Sequence, residues 1–206
     1  MRFFTITETI PPACRDEALS YFARIFGNKH PLSVEIGSGN GHFLVDTALL
    51  HPERNFIGTE LLTGRAKKFL SKVEKRNLKN ITVCRGDARR FVWEFLYEKM
   101  VWEFFIMFPD PWPKKRHHKH RIITEPFINM LYHRLVSGGR VSLATDHQEY
   151  RERIIAVFQN SRGFTKRFSE GFAYYPDGYP KSIFEQRFSM EKRPIYFMQY
   201  IKETGD

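Results

Sequence analysis

Cysteine is nearly absent from the chain: there are two in 206 residues, Cys14 and Cys84. Neither forms a C-x-x-C pair, so a disulfide framework or zinc knuckle has no basis. An H-E-x-x-H pattern is lacking too, and no metal site is expected. No apolar run approaches the roughly 18 residues of a membrane span. The opening Met1-Arg2-Phe3-Phe4-Thr5 has none of the three regions of a signal peptide. Internal repeats and low-complexity tracts are missing as well. These absences lead to the expectation of a reduced, cytoplasmic protein with no membrane contact, forming one domain over residues 1–206. Monomer and homodimer both stay open.

Acid is also in short supply. Asp and Glu total 23 against 33 Lys and Arg, a formal net charge of +10. Such an excess favours a polyanionic partner through attraction to phosphates. An ordinary basic surface explains the number equally well, so charge alone does not decide. The 42% hydrophobic content is enough for a sizeable core.

Short apolar runs alternate with longer amphipathic ones. Strands are expected at residues 32–36, 55–60, 80–84, 102–108 and 140–144. Helices are expected at 42–50, 63–75, 89–98, 124–135 and 148–159, the fourth capped by Thr124 and ended by Gly138-Gly139. Two further strand-like runs, 164–169 and 195–201, close the chain. Five alternations imply right-handed crossovers. The expected architecture is therefore α/β, a mostly parallel seven-stranded sheet with helices on both faces. Ligands of such sheets lie at the carboxyl ends of the strands.

What stands at those ends is informative. The first strand runs into Glu35-Ile36-Gly37-Ser38-Gly39-Asn40-Gly41, and the next four end at Glu60, Asp87, Asp110 and Asp146. A chain rich in positive charge thus places acids where its ligand should lie. Alternate glycines let the backbone approach a ligand closely. His42 stands where a dinucleotide fingerprint has its third glycine, and Glu35 would repel a pyrophosphate. Both features suit S-adenosylmethionine, which has a cationic sulfonium and amino group and no phosphate. Gly37, Gly39 and Gly41 are assigned to its methionine end and Glu60 to its ribose. Asp87 and Ala88 would frame the adenine.

Beyond the fourth strand comes Phe108-Pro109-Asp110-Pro111-Trp112-Pro113, whose prolines make a stiff loop. The next eight residues, Lys114 to Arg121, contain five Lys or Arg and three His, a candidate phosphate clamp. A flipped base can stack on Trp112. Guanine N7 has a free lone pair and no proton, so its methylation needs no general base and relies on alignment and electrostatics. Asp110 or Asp146 can accept from the guanine N1–H and amino group, which makes Asp110 the candidate orienting residue. Residues 171–180 read as an irregular aromatic loop, more consistent with packing than with a lid.

In these stretches the chain resembles the bacterial tRNA (guanine-N7-)-methyltransferases. The matching segments are residues 34–41, 56–60, 86–88, 108–119 and 144–150, with Ser182-Ile183-Phe184-Glu185 near the end. The resemblance implies a Rossmann-like class I methyltransferase that makes N7-methylguanosine at position 46 of the tRNA variable loop. It places Glu35, Glu60, Asp87 and Asp110 at the cofactor, with Asp110 also at the active centre. Lys114, Asp146, Ser182, Ile183, Phe184 and Glu185 would meet the substrate, and Arg116, His117, His118, Lys119, His120 and Arg121 the RNA backbone. Asn40, His120 and Ser182 depart from the residues usual in that family. The rival readings are a methyltransferase with another substrate and a non-enzymatic RNA-binding module on the same scaffold.

Overall fold

Residues 3–174, 180 and 194–204 are described by the computed structural model of the protein. Strands β1 (Phe3–Thr5), β2 (Leu32–Ile36), β3 (Asn55–Glu60), β4 (Ile81–Arg85), β5 (Val101–Met107), β6 (Leu135–Thr145), β7 (Phe164–Lys166) and β8 (Tyr196–Lys202) form one sheet. Its order is β1-β4-β3-β2-β5-β6-β8-β7. Pairings from β1 through β6 are parallel, and β8 runs antiparallel to both β6 and β7. The two tail runs expected from the sequence are thus both strands. The additional edge strand β1 had no expectation behind it.

Among the described residues six helices cover the sheet: α1 (Arg15–Phe26), α2 (His42–Leu50), α3 (Thr63–Lys75), α4 (Ala88–Phe95), α5 (Glu125–Arg134) and α6 (Gln148–Asn160). Strand alternation decides which face each one meets. In β5, Phe104 and Ile106 join the core under α1, α4, α5 and α6, where Phe22, Phe91, Leu131 and Ile154 are buried. Phe105 and Met107 join the opposite core under α2 and α3, with Phe43, Leu44, Phe69 and Val73. Phe158 of α6 stacks on Tyr200 of β8 with centroids 3.7 Å apart, fastening the antiparallel edge. Among the described residues no helix is long and apolar enough to cross a membrane.

Local chemistry sets several boundaries. Gly27 ends α1 in a left-handed conformation (φ 73°), its N–H donating to Ala23 O at 2.8 Å. Thr124 caps α5 through Phe127 N–H at 3.4 Å. The expectation that Gly138-Gly139 ends that helix needs correction, because α5 stops at Arg134 and both glycines lie within β6. Leu135 pairs with Val101 and Arg140 with Glu103, so residues 136–139 bulge from the ladder. Gly138 permits this with φ 71°.

A polar seam crosses the sheet beneath the apolar layers. Glu103 accepts from Arg54 at 2.7 Å and from the Ser142 hydroxyl at 2.7 Å, and Arg140 stands 3.0 Å away. Gln199 continues the seam by donating to Ser142 at 2.8 Å.

Candidate active site at the carboxyl ends of the strands

The chain order reverses beside β2, which lies between β3 and β5, and the glycine-rich turn leaves the sheet at that point. Gly37, Gly39 and Gly41 have φ of 74°, 56° and 73°. A Cβ on Gly41 would stand 2.0 Å from the Phe69 ring, so α3 packs against a backbone that tolerates no side chain. The turn is pinned to β3. Gly37 N–H donates to Thr59 Oγ1 (3.2 Å), Ser38 N–H to Thr59 O (2.7 Å) and Gly39 N–H to Glu60 Oε2 (2.8 Å).

Glu60 is buried, and its second oxygen accepts from Leu62 N–H at 2.8 Å. One carboxylate therefore holds both the glycine turn and the entry to α3. Each oxygen retains a second lone pair, the arrangement a diol requires.

Glu35 is different. It is 2% exposed, and its Oε2 has no hydrogen-bond partner among the described residues. Burial pushes its pKa up to about 8, repulsion from Glu60 adds to the rise, and the nearby Ser38 hydroxyl opposes it. Ser38 Oγ and Asn40 Oδ1 are likewise buried, and none of the three makes a hydrogen bond of normal geometry among the described residues, the Ser38 hydroxyl lying only near enough to Glu35 to favour its ionised form. Buried polar atoms are normally satisfied, so three orphans around one turn mark a place prepared for a ligand. With a carboxylate among them, that ligand should bring N–H donors and positive charge. An S-adenosylmethionine ammonium fits this set, and a pyrophosphate does not.

The remaining acids line the same rim in sheet order. Asp87 is exposed and caps α4, its Oδ1 accepting from Arg90 N–H at 2.9 Å, and Ala88 is the first residue of that helix. Asp110 is exposed beyond β5, and Asp146 is half-buried beyond β6. His147 caps α6 by accepting from Tyr150 N–H at 3.3 Å, which places Asp146 just ahead of the helix.

Phe108 and Trp112 bracket Asp110 with φ of 53° and 43°, left-handed values that bulky residues rarely adopt. Strain on both sides of one carboxylate is typical of a functional loop. Trp112 is 36% exposed, with His117 edge-on at 5.8 Å and His120 at 5.2 Å. Residues Lys115–His120 form a 3-10 turn. Lys114, Arg116, Lys119 and His120 are exposed, while His117 and His118 are half-buried.

Arg121 departs from the expected RNA-facing group. It is 4% exposed, donates to Glu149 at 3.0 and 2.6 Å and to Pro111 O at 2.8 Å, and lies 4.8 Å over the Tyr150 ring. Three of its N–H groups hold the loop and its burial keeps the guanidinium away from solvent, where a phosphate would lie. Thr59, Ser38 and Glu149 were missed as contributors to the site. Ser38 sits between two glycines of the turn and was open to notice, whereas Glu149 had no local signal. Ser182, Ile183, Phe184 and Glu185 lie outside the described residues. A cavity of about 580 Å³ lined by Phe22, Phe26, His30, Leu32 and Met100 opens at the opposite end of the sheet, remote from these acids.

Known proteins resemble this chain over most of its length. A family described as "Putative methyltransferase" matches residues 29–198. The tRNA (guanine-N(7)-)-methyltransferase of Syntrophotalea carbinolica is 34% identical over 92% of this chain and 83% of its own length. The Pasteurella multocida protein of the same name is 34% identical over 88% of this chain and 72% of its own. The Marinobacter nauticus one is 36% identical over 84% and 73%. Among solved structures, a 30S ribosomal A1408 methyltransferase from an uncultured bacterium superposes with a TM-score of 0.64 at 17% identity, covering 95% of this chain and 97% of that one. An rRNA methylase from Streptococcus thermophilus gives 0.57 at 14%, covering 90% and 94%. At such low identity these two likenesses speak for the Rossmann-like fold alone.

Proposed function

The chain belongs to the tRNA (guanine-N7-)-methyltransferase family, and on that premise we propose that it methylates N7 of guanine 46 in the variable loop of tRNA, with S-adenosylmethionine as methyl donor. The observation that carries this reading is the orphaned Glu35 carboxylate beside the glycine turn, on the same rim as the strained Asp110 loop. When bound, S-adenosylmethionine supplies a methyl carbon activated by the attached sulfonium. Glu35 and Ser38, beside the turn of Gly37, Gly39 and Gly41, would receive the methionine end. Glu60 accepts from the ribose hydroxyls, and Asp87 with Ala88 frames the adenine.

Trp112 stacks the guanine, and Asp110 accepts from its N1–H or amino group, which turns N7 toward the methyl carbon. Because guanine N7 carries a lone pair and no proton, this placement would require no general base from the protein. An N7-methylated purine is cationic, so Asp110 and Asp146 would stabilise the charge that develops on it. Lys114, Arg116, Lys119 and His120 steady the flanking phosphates. Asp146 and Ser182, Ile183, Phe184 and Glu185 complete the substrate side.

The test is methyl transfer from radiolabelled S-adenosylmethionine to unmethylated tRNA by wild type and Asp110→Ala, with the labelled nucleoside identified and located. Label in N7-methylguanosine at the variable loop, lost in the variant, is the expected result. Label in another nucleoside, or none with active controls, would overturn the proposal.

A further inference from the structure

Helix α3 has a charge pattern that the site above does not use. Ala66, Phe69 and Val73 form its buried side. Arg65, Lys68, Lys72 and Lys75 follow one another at spacings of three and four, and the C-cap Arg76 lies four beyond Lys72, so the five share one side of the helix. The one carboxylate of the helix, Glu74, stands seven residues from Lys67 on the other flank. Like charges at these spacings disfavour a helix in water. A polyanion laid along them reverses that sign.

Two of the five cations are partly occupied. Lys72 donates to Asn40 O at 2.7 Å and meets His42 Nε2 at 2.8 Å, and Arg76 pairs with Asp46 at 2.6 Å. Arg65, Lys68 and Lys75 enter no ion pair among the described residues. The crowding is felt by Lys72, whose pKa is held below the usual lysine range by burial and by Arg76 and Lys68.

Position and shape narrow the partner. The helix begins three residues after Glu60, at the rim, and its 13 residues span about 20 Å. Arg85 stands at its start, donating to Thr63 Oγ1 at 3.0 Å and pairing with Glu8 at 3.6 Å. The ends of β3 and β5 lie about 10 Å apart across β2, so α3 and the Lys114–His120 tract flank the glycine turn on opposite sides. Single-stranded nucleic acid is usually held on aromatic platforms. The only aromatic of α3, Phe69, is fully buried. Such a surface suits duplex backbone, which is contacted through phosphates without base reading.

We propose that the side of α3 formed by Arg65, Lys68, Lys72, Lys75 and Arg76 docks the sugar-phosphate backbone of a helical arm of the tRNA. The inference rests on the tRNA reading above and assigns a second contact to it, separate from the loop that holds the guanine.

The experiment compares Arg65→Gln/Lys68→Gln/Lys75→Gln with Arg24→Gln/Lys29→Gln/Arg162→Gln, an exposed triple at the opposite end of the sheet. Dissociation constants for unmethylated tRNA are measured over a range of salt concentrations. The α3 triple should bind about 10- to 100-fold more weakly near 0.1 M salt, with a salt slope shallower by about 2–3. Its melting temperature and S-adenosylmethionine affinity should match wild type, and the control triple should stay near wild type in every measure. An unchanged slope in the α3 triple, or an equal loss in the control, would overturn the proposal. If wild type binds tRNA but transfers no methyl group, the reaction assignment falls while the slope comparison still decides the docking surface.

Discussion

Arg121 and Glu149 form a two-pronged ion pair, with contacts of 3.0 and 2.6 Å, that ties the end of the basic tract to the first turn of α6. A third contact from Arg121 to Pro111 O makes this pair the anchor of the loop bearing Asp110 and Trp112. The arginine is buried, while the glutamate side chain is 51% exposed.

Breaking the anchor should harm turnover more than stability. Glu149→Gln keeps an acceptor for the buried guanidinium and removes only a half-exposed charge, worth about 1 kcal/mol or less, so the melting temperature should hardly move. The loop loses its fixed geometry, and misplaced groups typically cost up to about 100-fold in rate. A fall in kcat of tenfold or more is expected, with unchanged S-adenosylmethionine affinity. Hydrogen bonding to Arg121 holds the Glu149 pKa below the usual carboxylate range. Its stabilising effect is therefore complete above that range and fades as pH falls through the lowered value. Full kcat in Glu149→Gln would remove the anchoring role.

The raised pKa of Glu35 predicts opposite effects on the empty and the loaded protein. A carboxyl with a folded pKa near 8 and an unfolded value near 4.5 binds more protons when folded. Stability of the empty protein should thus fall by a few kcal/mol as pH rises from about 4.5 to 8. A cationic ligand favours the ionised form, so affinity for S-adenosylmethionine should rise over the approach to pH 8, with proton release. Glu35→Gln should flatten the first dependence and lower affinity about 10- to 100-fold, the loss of a charged hydrogen bond. Calorimetric titration at pH 6 and 8 in two buffers of different ionisation enthalpy reads both; binding without proton release would contradict the assignment.

The sequence made legible those elements whose signals are local. Helix α2 was readable because Gly41 opens it and His51-Pro52 closes it, and Asn55–Glu60 because its short apolar run lies between Arg54 and Glu60. Glu35 and Glu60 were readable because strand ends on a parallel sheet share a rim. Helix α1 escaped because exposed Leu19 and half-buried Ile25 blur the spacing of Phe22 and Phe26. Strand β1 has only three residues, too few for a pattern. Gly138-Gly139 looked like a helix stop, and only the pairing with β5 reveals a bulge. The inward turn of Arg121 depends on Glu149, 28 positions away. In a tract of like charges nothing marks the one cation that is buried.

The polar seam gives a stability prediction independent of the reaction. Glu103 is 1% exposed between Arg54, Arg140 and Ser142. Removing one partner of a buried ion pair costs about 3–5 kcal/mol, because the remaining charge is left uncompensated. The side chain of Arg140 is 30% exposed and can turn to water, so Glu103→Gln should cost about 3 kcal/mol. Urea unfolding should show an earlier midpoint with an unchanged slope. A midpoint equal to wild type would mean the seam is stabilised by packing and not by charge.

Trp112 offers the sharpest separation between holding the base and shaping the loop. Its left-handed backbone and its contacts with His117 and His120 orient the indole with about a third of its surface open. Stacking of a base on an aromatic side chain contributes about 1–3 kcal/mol. If guanine rests on that open face, Trp112→Ala should raise KM for tRNA about 5- to 100-fold. Trp112→Phe, which keeps a stacking ring, should recover most of the loss. If the indole only fastens the loop, Phe and Ala should both lower kcat and leave KM alone, because the base would bind elsewhere. The KM and kcat of the two variants therefore show whether Trp112 touches substrate, and an unchanged KM in Trp112→Ala would remove the stacking step from the mechanism.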